Sequence, residues 1–163
     1  MSNYFIFILN DTKEKERECI RMCRAILISE VIINRCIDKG YPLNTSKLQK
    51  ILYYMQKEHL MKYGEVVFDE PIVAWECGPA IKDVAEYFTE GSLRFKSENK
   101  YEERISLLNS HEEVLMMVLS KYGTVSPLEM AKESRKEECW IDAWKNGEGE
   151  GNILQLEKKS SEV

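Results

Sequence analysis

The chain has 163 residues, of which 44% are hydrophobic and 31% are charged. This length fits one domain and allows a core without disulfides or metal, which excludes overall disorder. The net charge of −5 argues against a generic nucleic-acid binder, whose affinity needs a clustered basic surface. The charge is unevenly distributed, because residues 1–64 hold 11 basic and 7 acidic side chains and residues 65–163 hold 12 and 21.

The apolar segment from Tyr4 to Leu9 predicts a strand, since it is rich in aromatic and β-branched residues. It has no basic leader and is too short for a signal peptide. No stretch approaches the roughly 20 apolar residues that span a bilayer. We therefore expect a protein that is neither exported nor embedded in a membrane, with residues 1–18 as an N-terminal extension.

The cysteines are odd in number and lack the dense spacing of a secreted disulfide framework, which favours a reducing cytoplasm. Cys19 and Cys23 could share one helix face, but a zinc site needs more ligands, and the two histidines are distant in sequence. We expect these cysteines to pack as small apolar side chains. The sequence predicts neither a metal nor a cofactor.

Helical periodicity runs from Thr12 to about Lys39, and a second helix begins after Asn44-Thr45, which are capping residues. In the second helix an apolar stripe predicts a core face, and four lysines fall largely elsewhere, which predicts a basic face. These lysines are Lys47, Lys50, Lys57 and Lys62. With Arg21, Arg24 and Arg35 of the preceding helix, they form either a solubilising face or a docking surface for an acidic protein or a phosphate backbone.

The pattern of residues 66–76 predicts a short β-hairpin, and Gly78-Pro79 predicts a break before a third helix that carries Ile81 and Phe88. A polar loop at 91–104 precedes a fourth helix from about Ser110 to Tyr122. Further short helices should start at Ser126-Pro127 and contain Trp140 and Trp144. We therefore predict a mainly α, compact multi-helix single domain at 19–145, with a flexible charged tail at 146–163.

Sequence motifs of common enzymes are not found: there is no phosphate-binding Gly-Lys-Ser/Thr, dinucleotide fingerprint, zinc-protease motif or nucleophile elbow. His59 is interpreted as a structural imidazole rather than a general base, because no nucleophile or orienting carboxylate is near it in sequence. The sequence predicts a protein that is not an enzyme.

One part of the chain has a more specific pattern than its composition. It contains Lys47-Leu48-Gln49-Lys50-Ile51-Leu52-Tyr53, His59-Leu60, Tyr63-Gly64, Ala74-Trp75 and Gly78-Pro79. In order and spacing these residues resemble the Panacea antitoxin domain, over roughly residues 22–90. Leu128 to Trp140 is similar to the family's weaker C-terminal positions.

This resemblance implies a helical cytoplasmic protein of phages or bacterial mobile elements. Such a protein neutralises a toxin by direct contact, and one branch of the family hands its toxin to a protease. Most motif positions are expected to be scaffold, namely Leu48, Leu52, His59, Tyr63, Gly64, Gly78, Pro79 and Trp140. Side chains with polar ends that could reach a partner are the expected contacts, namely Lys47, Gln49, Lys50, Tyr53 and Trp75.

Two other functions stay open. An inhibitor of a host defence nuclease could use the acidic residues after position 65 to imitate nucleic acid. A DNA-binding regulator could use the basic helices.

Overall fold

A computed structural model of the chain describes residues 24–88 and 100–156, which form a mainly helical domain. The predicted fold class is confirmed. In chain order the elements are α1 (Arg24–Lys39), α2 (Thr45–Tyr63), β1 (Val73–Trp75), β2 (Gly78–Ala80), α3 (Lys82–Tyr87), α4 (Asn109–Tyr122), α5 (Pro127–Ser134), α6 (Glu138–Trp144) and a 3₁₀ turn (Lys145–Gly147).

Helix α2 has well-defined ends. The Asn44 side chain accepts a hydrogen bond from the Lys47 amide at 2.8 Å, which satisfies a free amide of the first turn. At the other end Gly64 adopts a left-handed φ of 70° and its amide bonds the Leu60 carbonyl at 2.9 Å. Helix α5 begins as predicted, with Ser126 as N-cap and proline at the first turn.

Helix α2 lies at the centre of the domain and contacts α1, α3, α4, α5 and β2. All ten residues from 47 to 56 are buried, so the helix is covered on every side rather than along one stripe. Its apolar side chains form the middle of one continuous core, which also includes buried residues of α1 and α4 and of the strand region.

Strands β1 and β2 pair in antiparallel register, with Ala74 opposite Pro79. Ala74 directs its own amide and carbonyl to the opposite side, where they bond Asn152 and Gly151 at 2.8 Å. Since the Ala74–Pro79 position needs no hydrogen bond across the hairpin, the missing amide of Pro79 is tolerated there.

The hairpin lies further along the chain than the predicted 66–76. Val67 and Phe68 are not in a strand, because the Gln56 side chain bonds their backbone and holds them against α2. Gly78-Pro79 was expected to interrupt the secondary structure before the third helix. It instead starts the second strand, and the turn falls on Glu76 and Cys77.

Part of the expected flexible tail pairs with the hairpin. Leu154 donates its amide to the Ile72 carbonyl at 2.8 Å, and Ile153 forms an antiparallel bridge with Val73. Residues 152–154 therefore extend the sheet on the side of β1 that faces away from β2. Glycine and glutamate composition gave no sign of this backbone pairing, and the flexibility of 146–163 stays a prediction.

Several predictions lie outside the described residues. These are the strand at Tyr4–Leu9, the start of the first helix with Cys19, Cys23 and Arg21, most of the polar loop, and the last part of the tail. Among the described helices, none combines the length and apolar character needed to cross a membrane.

We expect Gly78→Ala to lower the free energy of unfolding more than Gly40→Ala. Both glycines have positive φ, +118° and +66°, so both substitutions strain the backbone. A Cβ at Gly78 would lie 2.4 Å from Ser134 Oγ and 2.9 Å from Lys50 Cε, whereas nothing lies within 4 Å at Gly40. The additional loss should be about 1–3 kcal/mol, measured by urea unfolding. Equal losses would contradict this packing.

Candidate interaction site

The structure brings the motif residues together, but it buries most of the predicted partner contacts. Lys47 and Lys50 are 0% exposed, Gln49 is 3% exposed and Tyr53 is 0% exposed. Only Trp75 remains partly exposed. In this conformation the polar ends of the four buried side chains therefore bond the protein itself, and a role in partner contact stays a prediction.

Two glutamines of α2 clamp the backbone on either side of the hairpin. Gln49 accepts from the Ile81 amide at 2.8 Å and donates to the Ile81 carbonyl at 3.3 Å. Gln56 accepts from the Val67 amide and donates to the Phe68 carbonyl, both at 2.7 Å. Each side-chain amide thus bonds both an amide and a carbonyl of a buried backbone segment, and the Ile81 carbonyl also accepts from the Ala85 amide. Sequence reasoning missed Gln56, although it follows Gln49 by seven residues and so lies on the same helix face.

Lys47 connects α2 to the end of α4. Its Nζ donates to the Gly123 carbonyl at 2.7 Å and to the Val125 carbonyl at 2.6 Å. A cation at a helix C-terminus is favourable, because free carbonyls point at it and the helix dipole is negative there. Burial nevertheless lowers the pKa of Lys47.

Lys50 lies beneath the hairpin turn. Its Nζ is 3.6 Å from Cys77 Sγ, and its aliphatic chain fills the space that a side chain at Gly78 would need. Burial lowers the pKa of the Lys50 amine, and this outweighs the opposing influence of Cys77. The close approach of Lys50 and Ser134 explains why a glycine is required at 78.

Tyr53 and Lys57 bond the segment that leads into α6. The Tyr53 hydroxyl is 3.0 Å from Cys139 Sγ and donates to Glu137 Oε2 at 3.3 Å. Lys57 Nζ pairs with the same Glu137 oxygen at 2.5 Å. Burial is the main cause that raises the pKa values of Tyr53 and of the Cys139 thiol. Glu137 is therefore a second residue that sequence reasoning missed, and nothing in its local sequence marks it.

His59 is buried and is used for structure. Its Nδ1 donates to the Glu65 carbonyl at 2.7 Å, and its Nε2 is 3.0 Å from the Ser110 hydroxyl. His111 packs edge-on against it with ring centroids 4.8 Å apart. Arg24 Nη2 is 3.5 Å from His111 Nδ1, a position from which it donates to a neutral imidazole. His59 therefore contacts a serine hydroxyl, but its Nδ1 is held by a backbone carbonyl rather than by an orienting carboxylate, and the ring is 1% exposed.

The remaining scaffold positions lie in the core and at the helix end. Leu48 and Leu52 are 0% exposed, while Tyr63 is 40% exposed and donates its hydroxyl to Glu113. Trp140 donates its indole N–H to the Trp75 carbonyl at 2.9 Å and stacks on Trp144 with centroids 5.4 Å apart. The hairpin is thereby held to α6.

Trp75 borders an open depression of about 460 Å³ at the hairpin turn. Its other walls are formed by Glu76, Cys77, Arg135 and Glu150. The Trp75 backbone carbonyl, and not its ring, holds Trp140, and the side chain is half-buried at the border of this depression.

The predicted basic face is not present as a surface. Lys47 and Lys50 are buried, and Lys57 and Lys62 pair with Glu137 and Glu113. The arginines described are also engaged: Arg35 pairs with Glu112, and Arg24 donates to the Val67 carbonyl. Helical periodicity placed these lysines off the main apolar stripe, but it could not show that α2 is covered on all sides.

No group of three His, Cys, Asp or Glu side chains within residues 24–88 and 100–156 is placed to hold a metal ion. The cysteines in these ranges, Cys36, Cys77 and Cys139, are free thiols. In this helical domain the polar side chains of the motif bond the protein's own backbone. The surfaces that remain exposed lie at the hairpin turn and at the edge of the sheet.

Residues 48–141, more than half of the chain, match the family described as antitoxin SocA-like, Panacea domain. The chain belongs to this antitoxin family. The match begins in α2, includes the hairpin with Trp75, and ends in α6 just after Trp140. Neither a curated protein nor a solved structure gives a significant match.

We expect Gln49→Leu to destabilise the domain by about 1–3 kcal/mol, because the buried amide of Ile81 would lose its hydrogen-bond partner, while the Ile81 carbonyl would keep only its bond from the Ala85 amide. Gln155→Leu is the matched control, since Gln155 is exposed and makes no such contact. Thermal or urea unfolding measures both variants. A loss for Gln49→Leu no larger than for the control would show that the clamp contributes nothing.

We also expect acid to destabilise the protein through His111. Burial, and then the nearby His59 and Arg24, lower the pKa of His111 below its ordinary value. The unfolded state therefore binds a proton near pH 6.5 that the folded state does not, so the free energy of unfolding falls as pH drops below about 6.5. His111→Gln should flatten this dependence between about pH 7 and 5.5. An unchanged slope in the variant would exclude His111 as its source.

Proposed function

We propose that the protein is an antitoxin that binds a cognate protein toxin and neutralises it by direct contact, without an enzymatic activity of its own. The observation that carries this proposal is the family match over residues 48–141. The engagement of both histidines in structural contacts supports binding rather than catalysis. We further propose a cytoplasmic site of action, in keeping with the free thiols of the described cysteines.

The partly exposed ring of Trp75 is the contact residue that the geometry favours. Tryptophan is enriched among residues that contribute most to protein–protein binding. The ring borders an open depression, and truncating it leaves the Trp75 carbonyl in place for Trp140. Delivery of the bound toxin to a protease would be a further activity of the same complex.

Inhibition of a host defence nuclease is a second candidate function, favoured by the acidic character of the last part of the domain. Residues 137–155 contain five carboxylates and one lysine. Such a surface would attract a basic protein in a strongly salt-dependent way. DNA binding has little support, because the lysines of α2 are buried or paired with carboxylates.

Co-expression with the product of the adjacent open reading frame tests the antitoxin function. We expect that product alone to arrest growth, and the pair to grow and to co-purify. Trp75→Ser should weaken the complex by about 10-fold or more, because a buried aromatic anchor is lost. Met116→Ser, at an exposed position on α4, is the matched control and should bind as the unchanged protein does.

Absence of toxicity together with absence of co-purification would reject the antitoxin proposal. Full neutralisation by the Trp75→Ser variant would reject only the contact role of Trp75 and would leave the antitoxin proposal standing. Loss of the complex at high salt, with a nuclease as the captured partner, would favour the second candidate.

A further inference from the structure

The small sheet has one free edge in the part of the chain that the structure describes. Asn152 and Leu154 direct backbone groups to β1, where they bond Ala74 and Ile72. Because hydrogen-bonding groups alternate along a strand, those of Ile153 and Gln155 point away from β1. Neither residue makes a backbone hydrogen bond with another described residue.

This edge borders a groove of about 950 Å³. Gly151 to Ile153, Gln155 and Leu156 form one wall, and Lys57 with residues along α6, from Glu137 to Lys145, forms the other. An unpaired strand edge next to an open groove is the geometry that accepts an added strand.

The groove has an acidic rim and an apolar patch. Glu138 and Asp142 lie exposed on its α6 side. Two lysines also line the groove: Lys57 is already paired with Glu137, and Lys145 is exposed just after α6, so the exposed side chains at this rim carry two negative charges and one positive charge. Ile153 is 56% exposed on the edge itself. A segment that alternates basic and apolar side chains would present amines to the carboxylates and apolar groups to Ile153, since alternate side chains of a strand face opposite sides.

We propose that the edge at Ile153 and Gln155 binds an extended, basic segment of a partner protein by β-strand addition. The inference deepens the proposed function and rests on it for the identity of that partner as the toxin. The other edge of the sheet is closed, because all three residues of β2 are buried against α2 and α5.

The test uses NMR on the full chain with a capped peptide probe, Lys-Val-Lys-Val-Lys-Val-Lys. We expect the probe to shift the amide signals of Ile153 and Gln155 and to slow their hydrogen exchange. Two control peptides separate the contributions: one replaces each lysine with glutamate to reverse the charge, and the other replaces each valine with proline to remove backbone donors. Neither control should bind.

Two variants of the protein make the test specific. Ile153→Pro removes an outward amide without breaking a bond to β1, and it should weaken binding by about five-fold or more. Glu138→Lys with Asp142→Lys should weaken binding to a similar extent. Asp69→Lys with Glu102→Lys is the matched control, because it makes the same change of charge at exposed positions outside the groove, and it should bind the probe normally.

Shifts confined to other residues, no binding at millimolar probe, or binding unaffected by Ile153→Pro would overturn the proposal. Slow exchange of the Ile153 amide in the unbound chain would also overturn it, because the protein's own segment would then occupy the edge. The peptide result is independent of growth rescue. Full growth rescue by the Ile153→Pro variant would reject binding at this edge and leave the antitoxin function standing. Binding of the probe without growth rescue by the unchanged protein would reject the antitoxin function and leave binding at this edge standing.

Discussion

The structure depends on the complete burial of a helix that carries many polar side chains. Ten consecutive residues of α2 are buried, and among them are Lys47, Gln49, Lys50 and Gln56. A buried polar group without a partner costs roughly 1–3 kcal/mol, so each of these side chains has to find one. In the described part of the chain no buried side-chain nitrogen or oxygen lacks a hydrogen-bond partner. The partners belong to different elements, and α2 thereby fixes the positions of α4, the hairpin and the segment before it.

Side-chain amides perform most of this fixing, since an amide can donate to and accept from the same stretch of backbone. Gln49 and Gln56 do so on α2, and Asn34 of α1 does so with Tyr101, accepting at 2.9 Å and donating at 2.8 Å. These three contacts hold irregular segments that have no helix or strand of their own to satisfy them. A motif that looks like a polar recognition surface in sequence is in large part an internal framework.

Helix positions were readable from sequence, because capping residues and apolar periodicity are local. The start of α2 at Asn44-Thr45 and the start of α5 at Ser126-Pro127 were both predicted from such signals. The hairpin register and the pairing of Ile153 with Val73 were not, since they depend on contacts between residues far apart in the chain. The same holds for the candidate site: periodicity located Lys47 and Gln49 on a helix, but the carbonyls and amides they bond come from segments whose approach no local pattern reveals.

The uneven charge of the two parts of the chain now has a structural explanation. Basic residues from before position 65 pair with acidic residues after it, as in Arg35 with Glu112, Lys57 with Glu137 and Lys62 with Glu113. These pairs are partly exposed, so each contributes little to stability. Their main consequence is electrostatic, because they neutralise basic side chains of α1 and α2, while Glu138, Asp142, Glu148 and Glu150 form no ion pair with another described residue.

Two of these carboxylates, Glu138 and Asp142, line the groove where the sheet remains open, and the two features have one origin. Framework contacts from α2 close the inner side of the hairpin, so β2 has no free edge and β1 is covered on both sides. Residues 152–154, which cover β1, then form the exposed edge of the sheet, and they lie opposite α6 across the groove. Lys57 of α2, which also lines this groove, is already paired with Glu137. The polar groups of the central helix thus find their partners inside the protein. The unpaired backbone groups of the sheet edge and the unpaired carboxylates of α6 lie together at the same groove. For a protein of an antitoxin family, that coincidence makes the groove rather than the motif helix the surface to test for recognition.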